Sequence, residues 1–96
     1  MYNLQVIFRV DGGVGIGLGH LVRCFALAHI LENDFEITFI YKDAPLNFID
    51  ELNRKGFRNY KIQTEQEWVN QLKPTQIVIL DGYYFQSSLQ SKIKAN

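Results

Sequence analysis

The sequence predicts an α/β fold in which a parallel β-sheet carries helices on both faces. Apolar, β-branched runs alternate with segments rich in helix-forming residues, in the order β-α-β-α-β-α-β-α. Such alternation is typical of parallel sheets whose strands are joined by crossover helices. Hydrophobic residues make up 47% of the 96 residues and charged residues 21%, as in a folded globular domain rather than a disordered segment. The length allows one such domain.

The first half of the chain contains two predicted strands and two predicted helices. The runs Leu4–Val10 (LQVIFRV) and Phe35–Tyr41 (FEITFIY) are rich in β-branched and aromatic residues, and the first is expected to be buried on both faces. Residues 19–32 have no proline or internal glycine, which favours a helix. A second helix is predicted from Pro45, which suits a first turn, to the residue before Gly56, which suits a helix end.

The second half continues the alternation. Residues 57–63 are more polar and predict a strand at or near a sheet edge, and residues 64–73 open with capping-box spacing and predict a helix. Residues 76–80 (QIVIL) form the most apolar strand, which should be central in a complete sheet, and residues 85–95 predict a last helix. We expect residues 1–96 to be one Rossmann-like domain, an incomplete N-terminal part of a larger two-domain protein, because that apolar strand otherwise lies at an open edge.

Composition and charge exclude several classes of function. Ten basic and ten acidic residues give a formal net charge of zero, which argues against nucleic acid as the main partner. No apolar run reaches the ~18 residues that a membrane span needs, and the N-terminus lacks the basic start of a secretory signal, so we expect a cytoplasmic protein. The single cysteine, Cys24, excludes an internal disulfide and cannot alone build a cysteine zinc site, so no metal is expected.

A glycine-rich turn follows the first strand. It holds five of the seven glycines, namely Gly12, Gly13, Gly15, Gly17 and Gly19. Glycine loses much conformational freedom on folding, so such a cluster indicates close backbone approach by a ligand at the carboxyl edge of the sheet. The N–H groups at the start of the next helix suit a phosphate or a developing anion. A flexible connection without a ligand is the alternative.

The glycine spacing does not fit the common cofactor motifs. In the dinucleotide pattern, the third glycine position is filled by Leu18, His20 or Val22, depending on the starting glycine. Gly12 and Gly17 have the spacing of a mononucleotide loop, but Leu18 stands where that loop needs lysine. Binding of NAD, FAD, ATP or GTP by these motifs is therefore unsupported, and no cofactor is predicted.

His20 is the candidate for chemistry. It lies in the first turn of the helix over residues 19–32, on the face that also carries Cys24, Leu27 and Leu31. The positive end of the helix dipole, together with Arg23 one turn later, disfavours the imidazolium form. A neutral imidazole beside a cleft is a competent general base. A histidine that only caps or packs at a helix start is an equally good interpretation, whereas His29 is expected at the surface.

Other polar residues lie at the ends of strands. Asp11 ends the first strand and Asp81 ends the fourth, so both are expected along one rim of the sheet. Each could orient His20, bond a substrate hydroxyl, cap a helix or bond a turn, and the last two roles are the better interpretation for either residue alone. Tyr83 could stack on or hydrogen-bond a sugar, or pack within its loop.

Two segments resemble a known family. Residues 8–11 (FRVD) with residues 15–24 (GIGLGHLVRC) are similar to the R-x-D and I-G-x-G-H-x-x-R-C segments of the UDP-sugar hydrolases of pseudaminic acid biosynthesis and of their spore-coat polysaccharide relatives. Residues 78–83 (VILDGY) resemble the second signature of that family, a buried strand ending in D-x-Y. The resemblance covers nearly the whole chain, and its first segment is the more specific.

The resemblance implies an architecture and a reaction. Family members have the two-domain architecture of glycosyltransferase-B enzymes, and this chain would be the N-terminal half. They hydrolyse UDP-2,4-diacetamido-2,4,6-trideoxy-β-L-altropyranose by metal-independent attack of water at the anomeric carbon, with inversion. His20 would be the base. The predicted substrate-binding residues are Asp11, Gly17, Gly19, Arg23, Asp81 and Tyr83.

Two departures from the family limit the prediction. Leu18 stands where the family has threonine, and the second domain, which supplies most contacts to UDP, lies outside these 96 residues. We therefore predict the base-bearing part of a UDP-amino-sugar hydrolase, inactive alone, that needs a C-terminal UDP-binding domain or partner chain. The alternatives are a non-catalytic nucleotide-sugar or acceptor-binding domain related to glycosyltransferases, and an interaction module or homodimer that pairs through the open sheet edge.

Overall fold

Strands and helices alternate as the sequence predicts. The computed structural model describes residues 4–12 and 19–81, with the backbone alone at Asp81. Within these ranges the elements are β1 (Leu4–Val10), α1 (Gly19–Leu31), β2 (Phe35–Tyr41), α2 (Leu46–Lys55), β3 (Arg58–Lys61), α3 (Gln66–Val69) and β4 (Ile77–Asp81). The last predicted helix, over residues 85–95, lies outside the described residues.

The four described strands form one parallel sheet in the order β3-β2-β1-β4. Helices α1 and α2 lead the chain from β1 to β2 and then to β3, whereas the α3 segment returns it past both strands to the other side of β1. The strand order therefore reverses between β1 and β4, and ligands of open α/β sheets bind at the carboxyl edge of such a reversal. The predicted α/β class is confirmed.

Strand β4 does not occupy the central position that its apolar sequence predicts for a complete sheet. It pairs with β1 and has no second neighbour among the described residues. Its Ile77 side chain is 42% exposed. Strand β3 forms the opposite edge, as its polar sequence predicts, and carries Arg58 and Lys61. Charged residues are a common protection of sheet edges against unwanted pairing.

One apolar layer lies between the sheet and helices α1 and α2. The rings of Phe8 and Phe39 are fully buried and stack with centroids 4.9 Å apart. Helix α1 adds the buried side chains of Leu21, Cys24 and Ala28. Burial of one large apolar side chain stabilises a fold by roughly 1.5–3 kcal/mol. This layer buries several of them and is therefore the main source of stability on that face of the sheet.

The buried stripe of α1 differs from the predicted one. Cys24 is buried as expected, but Leu27 is 38% exposed and Ala28 takes its place against the sheet. The helix is thus turned by about one residue relative to the face predicted through His20, Cys24 and Leu31. As a consequence, His20 lies at the border of the buried stripe and is half-buried.

A second layer covers the other face of the sheet. Ile7 and Ile40 of the sheet pack with Ile62, Trp68 and Val69 from the segment that leads to β4. Strand β1 is therefore buried on both faces, as its continuous apolar run predicts. Helices therefore cover both faces of the sheet.

No helix in the described part of the chain is long and apolar enough to cross a membrane.

Helix α3 is shorter than the ten residues predicted for it. One half of the predicted capping box is present, because the Glu67 carboxylate accepts hydrogen bonds from the backbone N–H groups of Thr64 (2.5 Å) and Gln63 (2.7 Å), but the helix begins after Glu65 and has no side-chain capping bond there. The helix ends at Val69, before Asn70, a residue whose side chain competes with helical backbone bonds. Helix α2, in contrast, ends at Gly56 in the left-handed conformation (φ 81°), as predicted.

Candidate functional site

The carboxyl edge of the sheet brings together the residues that follow β1, β2 and β3. Register pairs Val10 of β1 with Asp81 of β4, so the backbone at Asp11 and Asp81 lies at the same edge, as predicted. The backbone N–H of Gly12 donates to the carbonyl of Asp43, at 2.9 Å, in the loop after β2. The start of the glycine-rich turn is thereby tied to a neighbouring loop.

A buried ion pair lies beneath this edge. Arg9 is 1% exposed, and its guanidinium donates from Nε to Oε1 and from Nη2 to Oε2 of Glu65, both at 2.8 Å. The Trp68 indole N–H donates to the same Oε1 at 2.8 Å, and the Lys42 ammonium lies 3.2 Å from Oε2. Two parallel N–H···O bonds between planar groups are the strongest form of side-chain ion pair.

Asp11 extends the same network. It is 5% exposed, and its Oδ1 lies 3.0 Å from Nη1 of Arg9. The same oxygen accepts hydrogen bonds from the backbone N–H groups of Lys42 (2.6 Å) and Asp43 (3.1 Å). Of the roles considered for Asp11, this geometry displays turn bonding, and contact with a sugar stays a prediction.

The network keeps its charges ionised. Burial alone raises the pKa of Glu65, but hydrogen bonds from Arg9 and Trp68 outweigh it and lower that pKa to about 2. Burial likewise opposes the charge of Arg9, yet hydrogen bonds to Glu65 and Asp11 leave the pKa of Arg9 raised. With Lys42 the four side chains carry two positive and two negative charges, so the cluster is electrically balanced at neutral pH.

His20 and Arg23 are in contact on the first turns of α1. Nη2 of Arg23 lies 2.7 Å from Nδ1 of His20. A guanidinium can only donate, so Nδ1 must hold a lone pair and the ring proton must lie on Nε2. The bonded ring is therefore a neutral imidazole, the form a general base needs, while its role as a base stays a prediction.

The remaining predicted site residues are Gly17, Gly19, Asp81 and Tyr83. Gly19 is the first residue of α1, and a Cβ added there would meet no atom within 4 Å. Space alone does not require glycine at this position. Gly17 and Tyr83 lie outside the described residues, and the side chain of Asp81 is not described.

The sequence analysis did not predict that Arg9, Lys42 and Glu65 belong to the polar network beneath the carboxyl edge. One signal was present, since Arg9 is a charge within an otherwise apolar strand and a buried charge needs a partner. The partner itself had no signal, because Glu65 is 56 residues away and belongs to a short polar segment.

A groove of about 500 Å³ lies on the α3 face of the sheet, lined by Ile7, Ile40, Tyr60 and Trp68 among others. It includes neither His20 nor Arg23. We therefore place the candidate site at the carboxyl edge of the sheet, beside His20, and not in this groove.

Comparison of the chain with protein-family models, with curated protein sequences and with solved structures finds no match. The fold and the candidate site together define the class of the protein as an α/β domain with a parallel sheet and a polar carboxyl edge. The resemblance to UDP-sugar hydrolases depends on the sequence segments alone.

Proposed function

We propose that this chain is the N-terminal, base-bearing part of a UDP-amino-sugar hydrolase with a two-domain, glycosyltransferase-B-like architecture. The observation that carries the proposal is the neutral imidazole of His20 on the first turn of α1, next to a glycine-rich turn. Strand reversal beside β1 supports a ligand site at the same edge of the sheet. The sequence segments resembling the hydrolase family supply the substrate class.

The proposed reaction is a single displacement. A water oxygen bonds to the anomeric carbon as the bond between that carbon and the UDP oxygen breaks, which inverts the configuration. The imidazole of His20 accepts the proton that the water loses and returns it to solvent. The chain's own contribution is to position the base, since proximity and correct protonation state are what a general base supplies.

The network of Arg9, Asp11 and Glu65 supports this proposal as a scaffold. It joins the end of β1 to the loop after β2 and to the start of α3, so the glycine-rich turn departs from a fixed point. Catalytic groups need such rigid support because small displacements reduce rates strongly. These three residues are thus proposed to hold the site in place.

Titration with the nucleotide sugar tests this proposal. We expect addition of UDP-2,4-diacetamido-2,4,6-trideoxy-β-L-altropyranose to shift the imidazole resonances of His20. His29 serves as an internal control because it is exposed near the other end of α1, next to Glu32. Equal shifts of both histidines, or no shift of either, would contradict a sugar site at His20.

Pairing through the edge of β4, which has no neighbour within residues 4–12 and 19–81, is a second candidate. Residues 77–80 of this edge carry no charge, whereas the β3 edge of the same sheet carries Arg58 and Lys61. An uncharged edge strand is a template for pairing with another chain. Two copies joined by antiparallel β4 strands would form one continuous sheet with two-fold symmetry.

A further inference from the structure

The groove on the α3 face of the sheet has the dimensions of a small-molecule site. Its volume of about 500 Å³ lies within the range of ligand pockets in proteins. Ile7 and Ile40 line it from the sheet and Trp68 lines it from α3, and each of these three residues is at most 7% exposed. The base of the groove is therefore packed core, which holds its shape without a ligand.

Strand β3 adds an aromatic surface to the groove. Tyr60 lies next to Ile40 in the register of β2 and β3 and lines the groove, yet 56% of its surface is exposed. Leu72, which follows α3, contributes a half-buried apolar side chain. Aromatic rings pair favourably in offset-stacked or edge-to-face arrangements. The groove thus suits a ligand with a planar apolar body.

The charges that line the groove favour an anion. Its lining contains two cations, Arg58 and Lys61, and one acid, Glu67. Neither cation forms an ion pair with another residue that the structure describes. The Glu67 carboxylate is already engaged, because it accepts hydrogen bonds from the backbone N–H groups of Thr64 and Gln63. A ligand in the groove therefore meets a net positive charge, and the guanidinium can donate two N–H···O bonds to a carboxylate.

We propose that the groove binds a small organic anion with a planar apolar body, of the class of aromatic carboxylates. The body packs on Tyr60 and on the apolar base, and the carboxylate pairs with Arg58. This binding site goes beyond the proposed hydrolase function and does not depend on it, because the groove includes neither His20 nor Arg23.

Size and charge favour a small molecule over a protein partner. A stable protein interface buries about 800 Å² on each side, whereas a cavity of this volume encloses a single small ligand. Arg58 and Lys61 also lie on an edge strand, where charged side chains oppose the addition of a strand from another chain.

Naphthalene carboxylate and its neutral analogue, naphthalene methanol, test the proposal. Trp68 is the only tryptophan of the chain, so its indole N–H gives a single resonance that reports on the groove. We expect the carboxylate to shift this resonance in a saturable manner and to bind about fivefold more tightly than the alcohol, which is the upper range for an exposed ion pair. An unshifted resonance, or equal affinity of the two probes, would overturn the proposal.

Two arginine variants test the assignment of the carboxylate to Arg58. The Arg58→Gln variant should bind naphthalene carboxylate about fivefold more weakly and bind the alcohol as wild type does. Arg54→Gln is the matched control, since Arg54 is exposed on α2, pairs with Glu51 and does not line the groove. Equal effects of the two variants would contradict the proposal. The hydrolase proposal concerns His20 and is unaffected by either outcome.

Discussion

At the scale of single residues, the ion pair between Arg9 and Glu65 makes the strongest energetic demand on the fold. Arg9 enters the sheet as a fully buried cation, and Glu65 supplies both carboxylate oxygens to it. Removing one partner of a buried pair leaves the other charge uncompensated, which costs more than the pair itself contributes. The pair therefore acts as a requirement for correct docking of the segment between β3 and α3.

Replacing Glu65 tests that requirement. We expect Glu65→Gln to lower the free energy of unfolding by about 2 kcal/mol, because the buried Arg9 then keeps the Asp11 carboxylate but loses the charge of its bidentate partner. Glu51→Gln is the matched control, since Glu51 pairs with Arg54 on the exposed surface of α2 and its loss should change stability by less than about 1 kcal/mol. Urea unfolding followed by circular dichroism measures both, and equal effects of the two changes would contradict the account.

The same carboxylate predicts how stability depends on pH. The pKa of Glu65 lies at about 2 in the folded chain against 4.5 for an unperturbed glutamate, so the unfolded state binds the proton first. The stabilisation is complete above pH 4.5 and is lost as the pH falls from 4.5 toward 2. Urea midpoints across this range should fall more steeply in wild type than in Glu65→Gln, and parallel curves would refute the assignment.

At the scale of elements, the sequence predicts type and order better than length or position. In the first half of the chain, apolar runs mark the strands, and Pro45 and Gly56 mark the start and end of helix α2. Helix α3 ends at Val69, earlier than predicted, and Leu72 beyond it packs against the second apolar layer without being helical. The end of a short helix thus depends on packing as well as on local sequence.

Strand β4 illustrates a second limit. Its apolar sequence predicts a central strand, yet pairing partners are a property of the whole sheet and not of the strand. The candidate site is also only partly predictable from the sequence. The position of His20 after the glycine-rich turn identifies it as a candidate residue. Its contact with Arg23, which sets the tautomer, depends on a side-chain rotamer that no sequence pattern specifies.

The edge of β4 supports a prediction of its own. If two copies pair through it, Ile77→Lys should leave the chain monomeric, because a charge on an edge strand opposes pairing. Tyr60→Lys, at an exposed residue of the opposite edge, is the control and should not change association. Light scattering over a dilution series measures both, and a wild-type chain that is monomeric at every concentration would exclude this candidate.

At the scale of the whole molecule, sheet topology and residue chemistry converge on one edge. The strand order reverses beside β1, the glycine-rich turn leaves β1 at this edge, and α1 begins there with His20 in its first turn. The cluster around Arg9 joins β1, the loop after β2 and the start of α3 just below. These buried polar contacts therefore hold the carboxyl edge of the sheet in place.

If the proposed function is right, activity also requires the second domain that would complete the cleft. Remote binding of UDP would position the anomeric carbon, and the 96 residues alone should therefore show little or no turnover. Sustained hydrolysis by the purified chain would contradict this expectation. Joining the chain to a UDP-binding second domain of a hydrolase from the family it resembles supplies the context in which the base can be assayed.

Release of UDP from that nucleotide sugar by the joined protein is the most direct measurement. Wild type and His29→Ala should turn over at similar rates, whereas His20→Ala should lose about 100-fold or more, the usual contribution of a general base. Binding of the nucleotide sugar should survive in all three. Turnover by His20→Ala at the wild-type rate would show that water is activated elsewhere.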